Sequence, residues 1–199
     1  MASRRPRERA LKLATRRPLV GTRDMAVHGQ ELTRLVREGA LERVARGTYM
    51  IADRPIGEHH ALAVVAAMAP RSVICLLSAL GVHGIGTQLP FEVWVAIGRG
   101  MRAPALRNPP LRVVRMSEDS FDAGIEVHRI EGQPVRVFSA AKTIADLFKF
   151  RNRIGIDVAI EALRDAWQRR LITMDSLDRY AHVCRVERVM TPYIEAVVG

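Results

Sequence analysis

Two cysteines in 199 residues, Cys75 and Cys184, are too few for a disulfide framework or a cysteine-built zinc site. Both stand in apolar surroundings, so buried, reduced thiols are expected. Aromatic residues make up only 5%, which argues against a surface built from base-stacking platforms or a sugar-binding cleft. The longest apolar runs, 61–69 and 73–77, fall far short of a membrane span. The arginine-rich start lacks the apolar stretch of a secretory signal, and Glu8 speaks against a transit peptide. A cytoplasmic protein with no membrane partner is the expectation. There is no internal repeat and no low-complexity segment.

Apolar residues and positive charge are abundant. Hydrophobic residues are 48% of the chain, enough to bury a core, and the net charge is +10 with a pI near 10.8. Residues 1–54 hold 13 Lys and Arg against 6 Asp and Glu, a net +7, while 55–199 hold 18 against 15. About a quarter of the chain therefore carries most of the excess, the footprint of a polyanionic partner. A basic membrane-surface helix would need large apolar anchors opposite its charges, and 4–17 offers only Leu11 and Leu13. Nucleic acid is the better reading.

Turn residues cluster at Asp53, Arg54, Pro55 and Gly57, where charge density falls, so two domains are expected, 1–54 and 55–199. In the first, a helix over 6–15 places Ala10, Leu13 and Ala14 on one face and stops at Pro18. A short helix over 23–28 follows Thr22 as its cap, with the turn at Gly29. A third, 30–38, turns Leu32, Leu35 and Val36 inward and ends at Gly39. Strands over 41–46 and 48–52 alternate around Gly47 as a tight hairpin. Three helices and a two-stranded wing compose a winged helix-turn-helix, whose third helix enters the DNA major groove. Gln30, Thr33, Arg34 and Arg37 then share its outer face, where Gln pairs with adenine and Arg with guanine. Arg43 and Arg46 flank the wing tip and would reach phosphate or minor groove. The plainer alternative pairs Arg34 or Arg37 with Glu31 or Glu38 along the helix surface.

The second domain mixes strands and helices. A helix is expected over 58–68, then 73–82 beginning as strand and turning helical near Leu76. Strands follow at 91–97, 111–116, 126–130 and 134–138, with a basic Pro/Gly loop carrying Arg99, Arg102 and Arg107 between the first two. The last third is helical: Ser139 caps 140–150, an apolar stripe marks 157–169, Thr173 caps a helix to Cys184, and 187–198 closes the chain. Strands followed by a run of helices make the fold class α+β. Its core would include Trp94, Phe138, Ile144, Leu147 and Trp167.

No catalytic constellation emerges, so an enzyme is not expected, and neither is a metal or a cofactor. His59 and His60 are adjacent and cannot share a helical face, and His83 has no carboxylate or Cys at ligand spacing. Glu92 leads a strand without the following lysine of a nuclease core, and Ser78 lacks a nucleophile-elbow pattern. Lys142 and Asp146 at i, i+4, with Lys149, Arg151 and Arg153, read as a solvated charged band or a partner surface.

Three ordered blocks carry a family resemblance. They are Gln30-Glu31-Leu32-Thr33-Arg34-Leu35-Val36 with Gly39-Ala40-Leu41-Glu42-Arg43-Val44-Ala45-Arg46-Gly47-Thr48-Tyr49, then Cys75-Leu76-Leu77-Ser78-Ala79-Leu80-Gly81-Val82-His83-Gly84, then 139–152 from Ser139 to Asn152. Together they resemble the AbiEi antitoxin family. The resemblance implies a transcriptional repressor that binds the double-stranded DNA of its own operon, and a homodimer on that DNA is an expectation. It also implies opposition to a nucleotidyltransferase toxin without a stable complex, the type IV arrangement. Two alternatives remain open: a nucleic-acid-processing enzyme delivered by the helix-turn-helix, and a protein-interaction module.

Overall fold

The computed structural model describes residues 4–16, 19–25, 27–45, 47–52, 57–106 and 108–198. Two compact units divide the chain: Met1–Pro70 with Arg129–Val135, and Arg71–His128 with Arg136–Gly199. The first unit therefore contains more than the 1–54 segment, adding a helix and a hairpin tip from later in the chain. Residues 53–56, where turn residues suggest a boundary, lie outside the described residues.

In the first unit, α1 (Arg4–Arg16) buries Ala10 and Ala14 completely, because small side chains let it approach the helices and sheet beneath. Strand β1 (Val20–Gly21) leads into α2 (Thr22–Met25), which is only one turn long and shorter than the expected 23–28. Helix α3 (Gly29–Arg37) follows, so Gly29 opens the helix and does not form the turn before it. Strands β2 (Leu41–Ala45) and β3 (Thr48–Ile51) form the hairpin around Gly47, with a register shift between Arg43 and Ala45. The two-residue β1 pairs antiparallel with β3, making the sheet three-stranded in the order β1-β3-β2. Leu32, Leu35, Leu41, Val20, Met25 and Tyr49 close the core with α1.

Helix α4 (His60–Met68) builds a second small cluster, Ala63 and Val64 with Leu19 and Met50, against which Ile130 packs. Polar contacts tie the 129–135 segment into this unit. Gln133 Nε2 donates to the Leu19 carbonyl at 3.1 Å, and the Glu131 carboxylate accepts from Gly57 N–H at 3.0 Å and His60 Nδ1 at 2.8 Å.

The second unit is α+β. Strand β4 (Val73–Ile74) turns at Cys75 into α5 (Leu76–His83), as the switch from strand to helix near Leu76 predicts. Then come β5 (Val93–Gly98), β6 (Leu111–Met116), the short α6 (Glu118–Asp122), β7 (Ile125–Ile130) and β8 (Gln133–Phe138). The five strands order as β6-β5-β4-β8-β7, with β4 antiparallel to β5 and parallel to β8, and β5 parallel to β6. Val95, Ala96, Val135 and Val137 are fully buried along the inner strands.

Five helices complete it: α7 (Ala140–Lys149), α8 (Arg151–Ile154), α9 (Ile156–Gln168), α10 (Met174–Cys184) and α11 (Glu187–Val198). Ser139 caps α7 by accepting from Lys142 N–H. Thr173 caps α10 in a reciprocal box with Ser176, at 3.2 and 3.0 Å. Helix α7 is the centre of the unit, packed by α5, α9, α10 and α11, so residues 141–148 are all buried. Phe138, Ile144 and Leu147 are fully buried, while Trp94 and Trp167 pack partly buried against that core.

That central position corrects the reading of Lys142. It is not on a solvated band: Lys142 and Asp146 are both 0% exposed, their Nζ and Oδ2 2.5 Å apart. Lys142 Nζ also lies 4.2 Å from the centre of the Phe138 ring, and Cys184 Sγ donates to Asp146 Oδ1 at 3.2 Å. A charged pair at i, i+4 defaults to solvent only when the helix has a wet face, and α7 has none along this stretch. The turn between α6 and β7 comes close to α7 here. Gly124, at φ +71°, leaves room where a Cβ would stand 2.8 Å from Lys142 Cβ and 3.0 Å from the Tyr180 ring.

Candidate nucleic-acid interface

The geometry of α3 starts with its two buried leucines. Leu32 and Leu35, both 0% exposed, fix one face of the helix to the core, each burial contributing roughly 1.5–3 kcal/mol. The C-terminus is set by Gly39 at φ +70°, a backbone state that costs a side chain but not glycine. Gly39 N–H donates to the Val36 carbonyl at 3.1 Å and Ala40 N–H to Leu35 at 2.9 Å, the paired bonds of a Schellman stop. A helix pinned on one side and closed at its end presents a fixed opposite face.

That face carries Gln30, Thr33, Arg34 and Arg37, all exposed. The structure brings these four together as the helical spacing predicts. Thr33 Oγ1 donates back to the Gly29 carbonyl at 3.0 Å, which holds its hydroxyl against the helix. Arg43 stands exposed on β2, opposite Tyr49 in the hairpin register. Arg46 lies outside the described residues.

Arg34 does pair along the helix surface. Its Nε donates to Glu38 Oε1 at 2.8 Å, and Glu38 Oε2 is 2.7 Å from an Arg7 guanidinium nitrogen on α1. The hydrogen bond from Arg34, helped by Arg7, holds the Glu38 carboxyl below its usual range, and the same bond raises the Arg34 guanidinium. Glu38 thus joins two cations and holds the Arg34 guanidinium toward the C-terminal end of that face. Sequence reading weighs Glu38 as an Arg34 partner but does not find Arg7, since no periodic spacing links residues 31 positions apart on two helices.

The other basic residues fare differently. Lys142 is buried. Lys149 and Arg151 are half-buried, with an Arg151 guanidinium nitrogen donating to the Phe148 carbonyl at 2.9 Å, and Arg153 is exposed. Burial pushes the Cys75 thiol well up, and burial with the Asp146 charge pushes Cys184 up to about 12, which disfavours the nucleophilic thiolate at both. Among the described residues no helix is long and apolar enough to cross a membrane.

No curated protein sequence matches the chain. Among solved structures, the RV2827C protein from Mycobacterium tuberculosis is similar at a TM-score of 0.67 and 14% identity, over 94% of this chain and 77% of that one. At that identity the likeness shows a shared α+β fold and nothing finer. Residues 8–52, which run from within α1 through α2 and α3 to the β2–β3 hairpin, match a family described as "Transcriptional regulator, AbiEi antitoxin". On that match, residues 8–52 are similar to the AbiEi antitoxin family of transcriptional regulators.

Proposed function

We propose that this chain is a sequence-specific DNA-binding repressor of its own operon, of the AbiEi antitoxin kind, acting through 1–54 as a winged helix-turn-helix. The observation that carries the reading is the exposed face of α3, where Gln30, Thr33, Arg34 and Arg37 stand opposite buried Leu32 and Leu35. Gln30 and Arg37 offer the bidentate groups that read adenine and guanine, and Arg34 joins them once it exchanges Glu38 for a base or phosphate. Arg43, with Arg46, supplies backbone contact from the wing. The concentration of positive charge in this segment fits the same partner.

The similarity of residues 8–52 to the AbiEi family supports an antitoxin role, which in this reading belongs to 55–199. Its remaining candidate surface is Lys149, Arg151 and Arg153 at the end of α7 and in α8, suited to an acidic or nucleotide-bearing target. Counteraction of a nucleotidyltransferase toxin would need no stable complex.

A reporter fused to the chain's own upstream DNA tests repression. Expression should fall when the protein is supplied and recover with Gln30→Ala/Arg34→Ala/Arg37→Ala. Equal expression with and without the protein refutes the repressor reading. Co-expression with an adjacent nucleotidyltransferase separates the second role: the triple-alanine chain should still restore growth, and loss of rescue would reduce protection to repression alone.

A further inference from the structure

We infer that the second unit holds a site for a divalent transition metal of the zinc class, formed by His83, Glu126 and His128. One ligand atom from each of these residues lies within 4.8 Å of the other two. The sequence points away from a metal at His83, because its partners are more than forty residues distant. The fold supplies them. Glu126 and His128 are two apart on β7, so their side chains leave the same face of the sheet's edge strand. His83 ends α5 just before the helix stops at Gly84, and its ring meets that of His128 edge-on at 5.5 Å between centroids.

Three features suit metal binding more than a chance surface cluster. First, His83 Nε2 is 2.7 Å from the Phe138 carbonyl. A carbonyl only accepts, so Nε2 carries the proton and the lone pair sits on Nδ1, which is free to ligate. A ligating histidine is commonly oriented in this way by a backbone carbonyl on its other nitrogen. Second, Glu126 Oε2 and His128 Nε2 are already 3.2 Å apart. Donors bound at about 2.0–2.2 Å around tetrahedral zinc stand roughly 3.3–3.6 Å from each other. Glu126 is exposed, so its side chain has room to rotate and close the remaining gap.

Third, the cluster opens on a cavity of about 440 Å³, to which His83 and Glu126 contribute alongside Ser139, Arg170, Arg179 and Tyr180. Three protein ligands with an open side describe a zinc site that keeps a position for an exogenous ligand. The two arginines favour an anionic oxygen there. Two imidazoles and one carboxylate select zinc-like ions over magnesium or calcium, which prefer all-oxygen shells.

The test uses the full chain, free of any histidine tag and stripped of metal by a chelator. Titration with Co²⁺ should give one equivalent of a species with strong visible d–d absorption, typical of low-coordinate cobalt on imidazole, and Zn²⁺ should bleach it. His83→Gln and His128→Gln should each weaken Zn²⁺ binding at least about tenfold. Glu126→Gln, on an exposed edge, should weaken it without altering the far-UV spectrum. His182→Gln, which removes the exposed histidine beside Glu187, should leave binding unchanged. Wild-type protein that yields no visible cobalt species overturns the proposal. So does a species that survives both histidine substitutions, or one that disappears with His182→Gln.

Discussion

Replacing Asp146 alone should do far more harm than replacing Asp146 and Lys142 together. In Asp146→Leu the Lys142 ammonium stays buried beside the Phe138 ring without its carboxylate partner. Breaking a buried pair in this way costs about 3–5 kcal/mol. For a chain of this size each kcal/mol moves Tm by about 2–4 °C, so the midpoint should fall by roughly 6–20 °C. The double variant Lys142→Met/Asp146→Leu removes both desolvation penalties and keeps similar volume, and it should lie within about 1 kcal/mol of wild type or above it. Cys184 loses its acceptor in either case, a small loss for a weak thiol donor.

The pH dependence carries a sign. Burial outweighs the opposing pull of Lys142 and holds the Asp146 carboxyl above its usual range. Its contribution to stability is therefore fullest below the unfolded aspartate range and is lost as pH rises through the raised folded value. The double variant, having no such group, should gain on wild type as pH rises across that window. Thermal melts of the four proteins of the cycle at several pH values give both readouts. Additive single costs, or an Asp146→Leu midpoint within about 2 °C of wild type, would refute the reasoning.

Other expectations follow from the same contacts. Gly124→Ala should destabilise the second unit by about 1–3 kcal/mol in denaturant titration, since the new Cβ meets Lys142 and Tyr180 at a left-handed backbone position. Glu38→Gln should release Arg34 and remove a negative charge beside α3, tightening DNA binding roughly two- to tenfold at low salt and less at high salt, as read by anisotropy. Gln30→Ala should weaken a preferred site roughly 5- to 150-fold and relax one base position in a selected-sequence profile. Arg43→Ala should instead weaken all sequences alike and reduce the salt slope by about one unit.

Much of the fold was legible because it rests on local chemistry. Leu32 and Leu35 announce the inward face of α3, Gly39 its end, and Ser139 and Thr173 the starts of α7 and α10. What stayed hidden depends on partners far along the chain. The two-residue β1 has no periodicity to detect, and only pairing with β3 makes it a strand. The first unit takes in 129–135 because Glu131, Gln133 and Ile130 find their partners at Gly57, His60, Leu19 and the α4 cluster. Lys142 looks like a surface residue because its neutralising carboxylate is one turn away and the burial comes from α10 and neighbouring helices. The α3 face of the candidate interface was readable from helical spacing. The Arg7–Glu38 contact that sets its electrostatics was not, and neither was the meeting of His83 with Glu126 and His128.

The central claim is that α3 reads DNA sequence. Its most direct test is the affinity of the full chain for its own upstream DNA and for a shuffled duplex of equal length, at two salt concentrations. Wild type should prefer its own DNA at both. The Gln30→Ala/Arg34→Ala/Arg37→Ala variant, with an unchanged melting profile, should bind the two duplexes equally and keep only weak, salt-sensitive affinity. A variant that retains the wild-type preference would contradict the account.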